Sequence, residues 1–176
     1  IATNGIIKLK DNKIRLYTQK DGLPGSGATD LVVFNNEIWA GFQGGVAKYD
    51  AKKDNFSPYL EGEANVSLYV DPVDKKLFAS TFKNFFEWNG SGWDKKTGSN
   101  LPLDSKQIVF TKDYIASSSF PAYPITVYSR SNKTWEKPEI VEFGTQQGQT
   151  LFQANDRVFL YGRSKNYQGC GEDKKE

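Results

Sequence analysis

Short runs of branched and aromatic residues alternate with polar, turn-forming residues along the whole chain. This composition is typical of β-strands separated by tight turns. No stretch keeps a helical period over a sufficient length to predict a helix. The pattern therefore predicts an all-β protein. The clearest predicted strands are LVVF (31–34), EIWAGF (37–42), KKLFASTF (75–82), ITVYS (125–129) and RVFLYG (157–162).

The strands recur with a fixed period. A large apolar residue followed by a small or apolar one marks each repeat, and successive marks lie 38, 39, 37 and 44 residues apart. A period of this size indicates a repeat architecture. The marks are Ile1-Ala2, Trp39-Ala40, Phe78-Ala79, Ile115-Ala116 and Phe159-Leu160.

Two turn signals stay in phase with these marks, which places four short strands in each repeat. One precedes each of the last four marks, at Asn35-Asn36, Pro72 to Asp74, Lys112-Asp113 and Asn155-Asp156. The other follows each of the first four, at Asp11-Asn12, Ala51 to Asp54, Asn89-Gly90 and Ser131-Asn132. Four antiparallel strands per repeat is the layout of a β-propeller blade. We therefore assign residues 1–168 to four or so blades and 169–176 to a polar tail.

The innermost strand of each blade is predicted at 30–35, 66–71, 107–112 and 149–155, mostly apolar because it packs against neighbouring blades. The chain enters with the outer two strands of a blade, near 5–9 and 13–18, and leaves with two inner strands near 149–163. These halves could join into a four-bladed ring, or the chain could be part of a larger ring. We favour the larger ring, because four-bladed rings are uncommon and residues 1–3 already duplicate the strand at 157–163.

The stretch from Lys20 to Asp50 resembles the two-component regulator propeller repeat. The matching elements are Gly22-Leu23-Pro24, Leu31 to Phe34, Ile38-Trp39-Ala40-Gly41, Gly44-Gly45-Val46 and Tyr49-Asp50. The resemblance implies a propeller, usually of seven blades, in the periplasmic or extracellular sensing part of a bacterial regulator or in another cell-envelope protein. It implies ligand binding and supplies no catalytic residues.

Composition narrows the function classes. Of the 176 residues, 38% are apolar and 14% aromatic, enough for an ordinary folded core. Basic residues outnumber acidic ones by only 23 to 21 and form no clustered stripe, so no nucleic-acid partner is expected. No apolar run reaches the ~18 residues that span a bilayer, so we expect no membrane insertion. The chain starts at Ile1 and contains no Met, which indicates a trimmed or incompletely represented sequence.

The chemistry available to the chain is limited. There is no His and one Cys, Cys170, which removes intrachain disulfides, cysteine metal clusters and His-based catalytic pairs. Asp71 and Asp74 flank Pro72 and are interpreted as turn residues, since a calcium loop needs about six ordered oxygens. We expect no metal, no cofactor and no catalysis. The alternative is part of a propeller enzyme, a lyase or glycoside hydrolase that uses Asp, Glu, Tyr or Lys.

Ligands commonly bind propellers on the face formed by the loops between blades and between second and third strands. Here these loops are Asp21 to Ser26, Gln43 to Gly45, Lys83-Asn84, Ser118 to Pro124 and Arg163 to Tyr167. Their aromatic rings, amides and cations suit a small glycan, peptide or protein ligand, perhaps joined by further blades from elsewhere. The alternative is ordinary polar loop tips. The candidate ligand-binding residues are Gln43, Lys83, Asn84, Phe120, Tyr123, Arg163 and Asn166.

The four tryptophans, Trp39, Trp88, Trp93 and Trp135, allow two interpretations. They could form a sugar-binding set. Because they recur at equivalent positions of the repeat, we interpret them as core between blades, where large aromatic side chains dominate the packing.

Overall fold

The structure, a computed structural model, describes residues 5–119, 125–137 and 150–161. Within them the chain forms antiparallel β-sheets and one short 3-10 turn at Gln19–Asp21. The backbone divides into two units, residues 1–106 and 107–176. The boundary falls just after the start of one strand, and each unit is described separately.

The first unit contains three sheets in chain order. Sheet A pairs β1 (Ile6–Lys10) with β2 (Lys13–Tyr17). Sheet B has the order β3 (Ala28–Phe34), β4 (Glu37–Phe42), β5 (Gly45–Asp50) and β6 (Asn55–Tyr59). Sheet C has the order β7 (Ser67–Asp71), β8 (Lys76–Ser80), β9 (Phe85–Trp88) and β10 (Trp93–Lys95).

The second unit holds the remaining strands. Sheet D has the order β11 (Ser105–Phe110), β12 (Tyr114–Ser119), β13 (Thr126–Ser129) and β14 (Thr134–Glu136), with β11 beginning just before the boundary. Sheet E pairs β15 (Thr150–Ala154) with β16 (Arg157–Tyr161). Ala116, Ile125 and Leu151 form its buried core, and the side-chain oxygen of Gln107 accepts a hydrogen bond from the Leu151 N–H at 2.8 Å.

The turns explain why each sheet is built from consecutive strands. Asn35 and Asn36 both adopt left-handed backbone, with φ of 51° and 62°, and join β3 to β4 in a tight hairpin. Two left-handed residues are what a two-residue hairpin needs to match strand twist, and Asn tolerates this conformation. Asp11 and Asn12 do the same between β1 and β2, with φ of 50° and 57°. These predicted turns are confirmed.

The predicted strand pattern is also confirmed. The first strand of sheets B, C, D and E lies within two residues of each predicted innermost strand. The entering outer pair is sheet A and the leaving inner pair is sheet E. Asp71 is a turn residue as expected, because its carboxylate accepts hydrogen bonds from the backbone N–H groups of Val73 and Asp74 at 2.9 and 3.3 Å. The predicted strand duplicate at residues 1–3 lies outside the described residues.

Sheet B is buried on both faces. Trp39 and Ala40, adjacent on β4, point to opposite faces and are both fully buried. One face packs on sheet C around Phe34, Trp39, Val46, Val66, Leu68, Leu77, Ala79 and Phe86. The other packs on sheet A around Tyr17, Leu23, Ala40, Phe42, Ala47 and Phe56.

Trp39 is the centre of the larger core. Its ring lies 4.8 Å from Trp88, 5.6 Å from Tyr59 and 5.7 Å from Trp93, measured between centroids. Edge and tilted contacts of this kind are favourable aromatic geometries. The interpretation of these tryptophans as packing residues is confirmed. In the second unit Trp135 packs against Tyr128 at 5.3 Å.

One expectation about β3 is wrong. As an innermost strand it was expected to pack against neighbours, yet Leu31 and Val33 are 61% and 64% exposed. The reason is coverage: sheet A has two strands and lies over the outer part of sheet B, so the inner part of that face has no covering sheet among the described residues.

Replacing Trp39 by alanine should destabilise the first unit by about 3–5 kcal/mol, because it removes a fully buried indole and leaves a cavity between two sheets. Urea unfolding followed by the fluorescence of the remaining tryptophans measures the change. The control is Ile14→Ala, whose side chain is 73% exposed and should cost less than about 0.5 kcal/mol. A Trp39→Ala cost as small as the control's would contradict the assigned core.

Candidate functional site

Three loops of the first unit meet at one end of sheets B and C: the β4–β5 turn at residues 43–44, the link between the sheets at 60–66, and the β8–β9 loop at 81–84. Backbone hydrogen bonds join the first two. The Gly62 N–H donates to the Gly44 carbonyl at 3.0 Å, and the Asn65 N–H donates to the Gln43 carbonyl at 3.4 Å. The link therefore lies fixed against the turn. We call these three segments the loop end.

Glu63 joins the link to the third loop. Its carboxylate accepts both hydrogens of the Asn84 amide nitrogen, at 2.8 and 3.0 Å, and the Thr81 hydroxyl at 3.2 Å. Thr81 is buried, and its hydroxyl oxygen also accepts the backbone N–H of Asn84 at 3.0 Å. A side-chain oxygen that binds N–H groups two or three residues ahead stabilises a compact turn. The β8–β9 loop is therefore held from within and from the neighbouring sheet.

The glycine pair at 44–45 has a steric reason. A Cβ on Gly44 would lie 2.6 Å from the carbonyl oxygen of Pro24, closer than carbon and oxygen can approach. Gly45 has φ of 146°, a backbone conformation that favours glycine. The glycines thus let the segment that contains Pro24 pass close to the β4–β5 turn and join the loop end.

The structure brings together three of the seven predicted ligand-binding residues. Gln43 and Lys83 are exposed, and Asn84 is half-buried against Glu63. Lys83 forms no ion pair with any residue that the structure describes. The other four, Phe120, Tyr123, Arg163 and Asn166, lie outside the described residues.

Sequence reasoning missed Glu63 and Thr81. Their partners are 18 to 21 residues away in the sequence, so no local pattern identifies the pairing. The only available signal was position, since the link between two blades lies on the same face as the predicted loops.

A cavity of about 640 Å³ lies at the opposite end of sheet B. Its wall contains the Glu37–Lys48 ion pair, with 2.7 Å between the carboxylate oxygen and the ammonium nitrogen. The same ammonium lies over the Trp39 ring, 5.3 Å from its centroid. The lining residues are Asn36, Glu37, Ile38, Lys48, Tyr49, Asp50, Ala51, Lys52, Ser57 and Tyr59.

The densest charged network joins sheets A and B. Asp54 accepts hydrogen bonds from Lys8 at 2.6 Å, Tyr17 at 2.7 Å and Tyr49 at 2.5 Å, all at one carboxylate oxygen. Its other oxygen pairs with Arg15 at 3.2 Å. The guanidinium of Arg15 also lies over the Tyr17 ring, 4.8 Å from the centroid. Since every donor is used in holding the two sheets together, this network is structural.

The network shifts the pKa values of its members. The hydrogen bonds from Lys8, Tyr49 and Tyr17 hold the pKa of the Asp54 carboxyl well below its usual range. The hydrogen bond to Asp54, followed by that to Tyr49, raises the pKa of the Lys8 ammonium. Burial raises the pKa of the Tyr17 phenol, and its hydrogen bond to Asp54 acts in the same direction.

Elsewhere in the described residues, carboxylates also shift downward. Burial acts to raise the pKa of Glu87, but its ion pairs with Lys76 and Lys96 at 2.9 and 3.0 Å outweigh burial and lower it. Backbone N–H groups of Lys52 and Lys53 lower the pKa of Asp50. No cluster of three or more metal-ligating side chains occurs in the part of the chain that the structure describes. No helix found there is long and apolar enough to cross a bilayer.

Solved structures share this arrangement of sheets. The extracellular domain of the one component system BT4673 from B. thetaiotaomicron matches 73% of this chain with a TM-score of 0.59 and 14% identity. A structure of the extracellular domain of the hybrid two component system BT4673 from the same organism matches 78%, with a TM-score of 0.61 and 14% identity. The β-propeller domain of Cps50 (Swd1) from Myceliophteria thermophila matches 78%, with a TM-score of 0.51 and 12% identity.

The chain folds as β-propeller blades. The predicted all-β propeller is confirmed, and at these identities the likeness concerns the fold alone. The chain spans 18% and 21% of the two BT4673 chains and 50% of the Cps50 chain. No family model matches the chain. No curated protein matches it either.

Replacing Asp54 by asparagine should destabilise the first unit in a pH-dependent way. Because the folded pKa of Asp54 is lowered, its contribution is complete above the ordinary aspartate pKa of about 3.9 and is lost as pH falls through the lower folded value. Because the pKa of Lys8 is raised, its contribution holds below the ordinary lysine pKa of about 10.4 and is lost as pH rises through the higher folded value. The two proteins should therefore differ most between these limits.

Urea unfolding of both proteins across a pH series measures this difference. Asp113→Asn, which removes an exposed carboxylate from the second unit, is the matched control and should leave the pH profile of the first unit unchanged. A constant difference between wild type and Asp54→Asn down to the most acidic point would refute the role assigned to Asp54.

Proposed function

We propose that the protein is a non-catalytic propeller module that senses or binds a ligand through the loop end. The observation that carries this proposal is the loop end itself. Three segments from two sheets are fixed by backbone and side-chain hydrogen bonds, and they present the exposed side chains of Gln43 and Lys83 beside the Glu63–Asn84 pair. A rigid frame with exposed polar side chains lowers the entropic cost of binding.

The charges favour a particular ligand chemistry. Lys83 supplies an exposed ammonium without a carboxylate partner among the described residues, and Gln43 supplies an exposed amide. An ammonium with adjacent amides suits carboxylate and hydroxyl groups. The ligand class we propose is a small glycan, a peptide or a protein segment that carries such groups.

The shared fold supports a sensing role. The BT4673 domains are extracellular domains of signalling systems by description, and they have the same sheet arrangement as this chain. By analogy we propose that this module also works outside the cytoplasm, in a bacterial cell envelope, as part of a larger protein. Fold analogy is a weaker argument than site geometry, so the loop end remains the basis of the proposal.

The enzyme alternative receives no support from the carboxylates. A general acid at neutral pH needs a raised pKa. The carboxylates with shifted values in the described residues, Asp50, Asp54 and Glu87, all shift downward. These groups suit ion pairing and turn formation.

The test is a binding screen of the full chain against a glycan array and a random peptide library, with hits confirmed by calorimetry. Lys83→Ala should weaken a confirmed ligand about ten-fold, because a charge-assisted hydrogen bond is lost. Gln43→Ala should weaken the same ligand by a smaller factor, since an uncharged hydrogen bond contributes less.

Two further variants locate the site. Lys13→Ala removes an exposed lysine on β2 and should leave affinity unchanged. Lys52→Ala alters the opposite cavity and should also leave it unchanged. A ligand that responds to Lys52 and ignores Lys83 would move the site to the cavity, and the absence of any ligand from both screens would count against the binding role.

A further inference from the structure

One face of sheet B is covered over only part of its width. Leu31, Ala40 and Ala47 form a row across β3, β4 and β5, since each is the register partner of the next. Ala40 and Ala47 are fully buried under sheet A, whereas Leu31 is 61% exposed. Val33 and its partner Ile38 share this face and are 64% and 38% exposed. The exposed residues therefore continue an established interface and end where sheet A ends.

Sheet A corresponds to the outer half of a blade. A Cβ on Gly5, before β1, would strike the carbonyl oxygen of Tyr17 at the end of β2. A Cβ on Gly45, at the start of β5, would likewise meet the carbonyl oxygen of Tyr59 at the end of β6, at 2.7 Å. Strands β1 and β2 thus occupy the places of β5 and β6. In sheet B the inner neighbours of that pair are β4 and β3. Among the described residues β1 pairs with β2 alone, so its inner edge has room for two strands.

The far side of sheet A points to the same kind of neighbour. Ile7 pairs with Leu16, and Leu9 pairs with Ile14, so the four side chains share one face. They are 54%, 42%, 70% and 73% exposed in that order. Apolar patches of this extent on a β-sheet mark an interaction surface. A small ligand would not cover both this face and the inner part of sheet B, whereas further propeller polypeptide would.

We propose that the inner edge of β1, together with Leu31, Val33 and Ile38, is the docking surface for a β-hairpin from further propeller polypeptide, which completes sheet A to four strands. One strand of this hairpin pairs with β1 through backbone hydrogen bonds, and its apolar side chains cover the three exposed residues. Strand addition at a free edge is an established mode of recognition. The partial match to larger propellers supports this occupant, since the chain spans half of the Cps50 domain.

The probe is a synthetic peptide of residues 28–42, the β3–β4 hairpin, which fills the corresponding place in sheet B. It is added to the full chain, and backbone amide exchange of β1 is followed by NMR. Saturating peptide should slow the exchange of the inner-edge amides of β1 about ten-fold or more, because they become hydrogen-bonded. A peptide of the same composition in scrambled order should have no effect.

Two chain variants make the result specific. Val33→Lys places a charge on the docking surface and should abolish the protection. Val73→Lys changes an equally simple exposed valine in the β7–β8 turn and should preserve it. Both native side chains are largely exposed, so both variants should fold, and the amide spectrum verifies this.

Three outcomes would overturn the proposal: no slowing of β1 exchange by the peptide, equal slowing in Val33→Lys, or slow exchange of the inner edge in the chain without peptide. In the last case molecular mass from light scattering identifies the occupant. A monomer would show that the chain's own residues fill the surface, and a dimer would show that a second copy does.

Discussion

Sheet B imposes one constraint on the first unit: it is apolar on both faces, so it is stable in water only between two other layers. Trp39 and Ala40 are neighbours on one strand, yet each is fully buried on its own side. Burying both sides of a strand costs the alternation of polar and apolar residues that one-sided sheets keep. The sequence of β4, with Ile38, Trp39, Ala40 and Phe42 close together, reflects this two-sided burial.

The two interfaces of sheet B are stabilised differently. Toward sheet C the contacts are mainly large rings around Trp39, with the Lys48 ammonium over the indole. Toward sheet A the apolar contacts are smaller, and the Asp54 network contributes polar bonds. Dispersion and burial keep the first interface together across a wide pH range, whereas the second depends partly on the ionisation of Asp54 and Lys8. The unit therefore combines one pH-independent and one pH-sensitive junction.

Much of the fold could be predicted because its signals are local. Turn residues such as Asn35 and Asn36 identify their hairpin without reference to the rest of the chain, and the repeat converts local signals into sheet order. The Glu63–Asn84 and Lys8–Asp54 contacts could not be predicted, because each joins residues of different repeats through loop and turn geometry that the sequence does not specify. The exposure of Leu31 was missed for another reason, since burial depends on which layer covers a strand and not on the strand itself.

The Glu63–Asn84 contact has a thermodynamic consequence. Its two residues belong to the link after sheet B and to a loop of sheet C, so the same amide hydrogens that could serve a ligand already tie one blade to the next. Any guest that recruits the Asn84 amide must compete with Glu63, and the free energy of that exchange is shared with the cohesion of the two blades. Occupancy at the rim and stiffness of the stack are thus two readouts of one equilibrium.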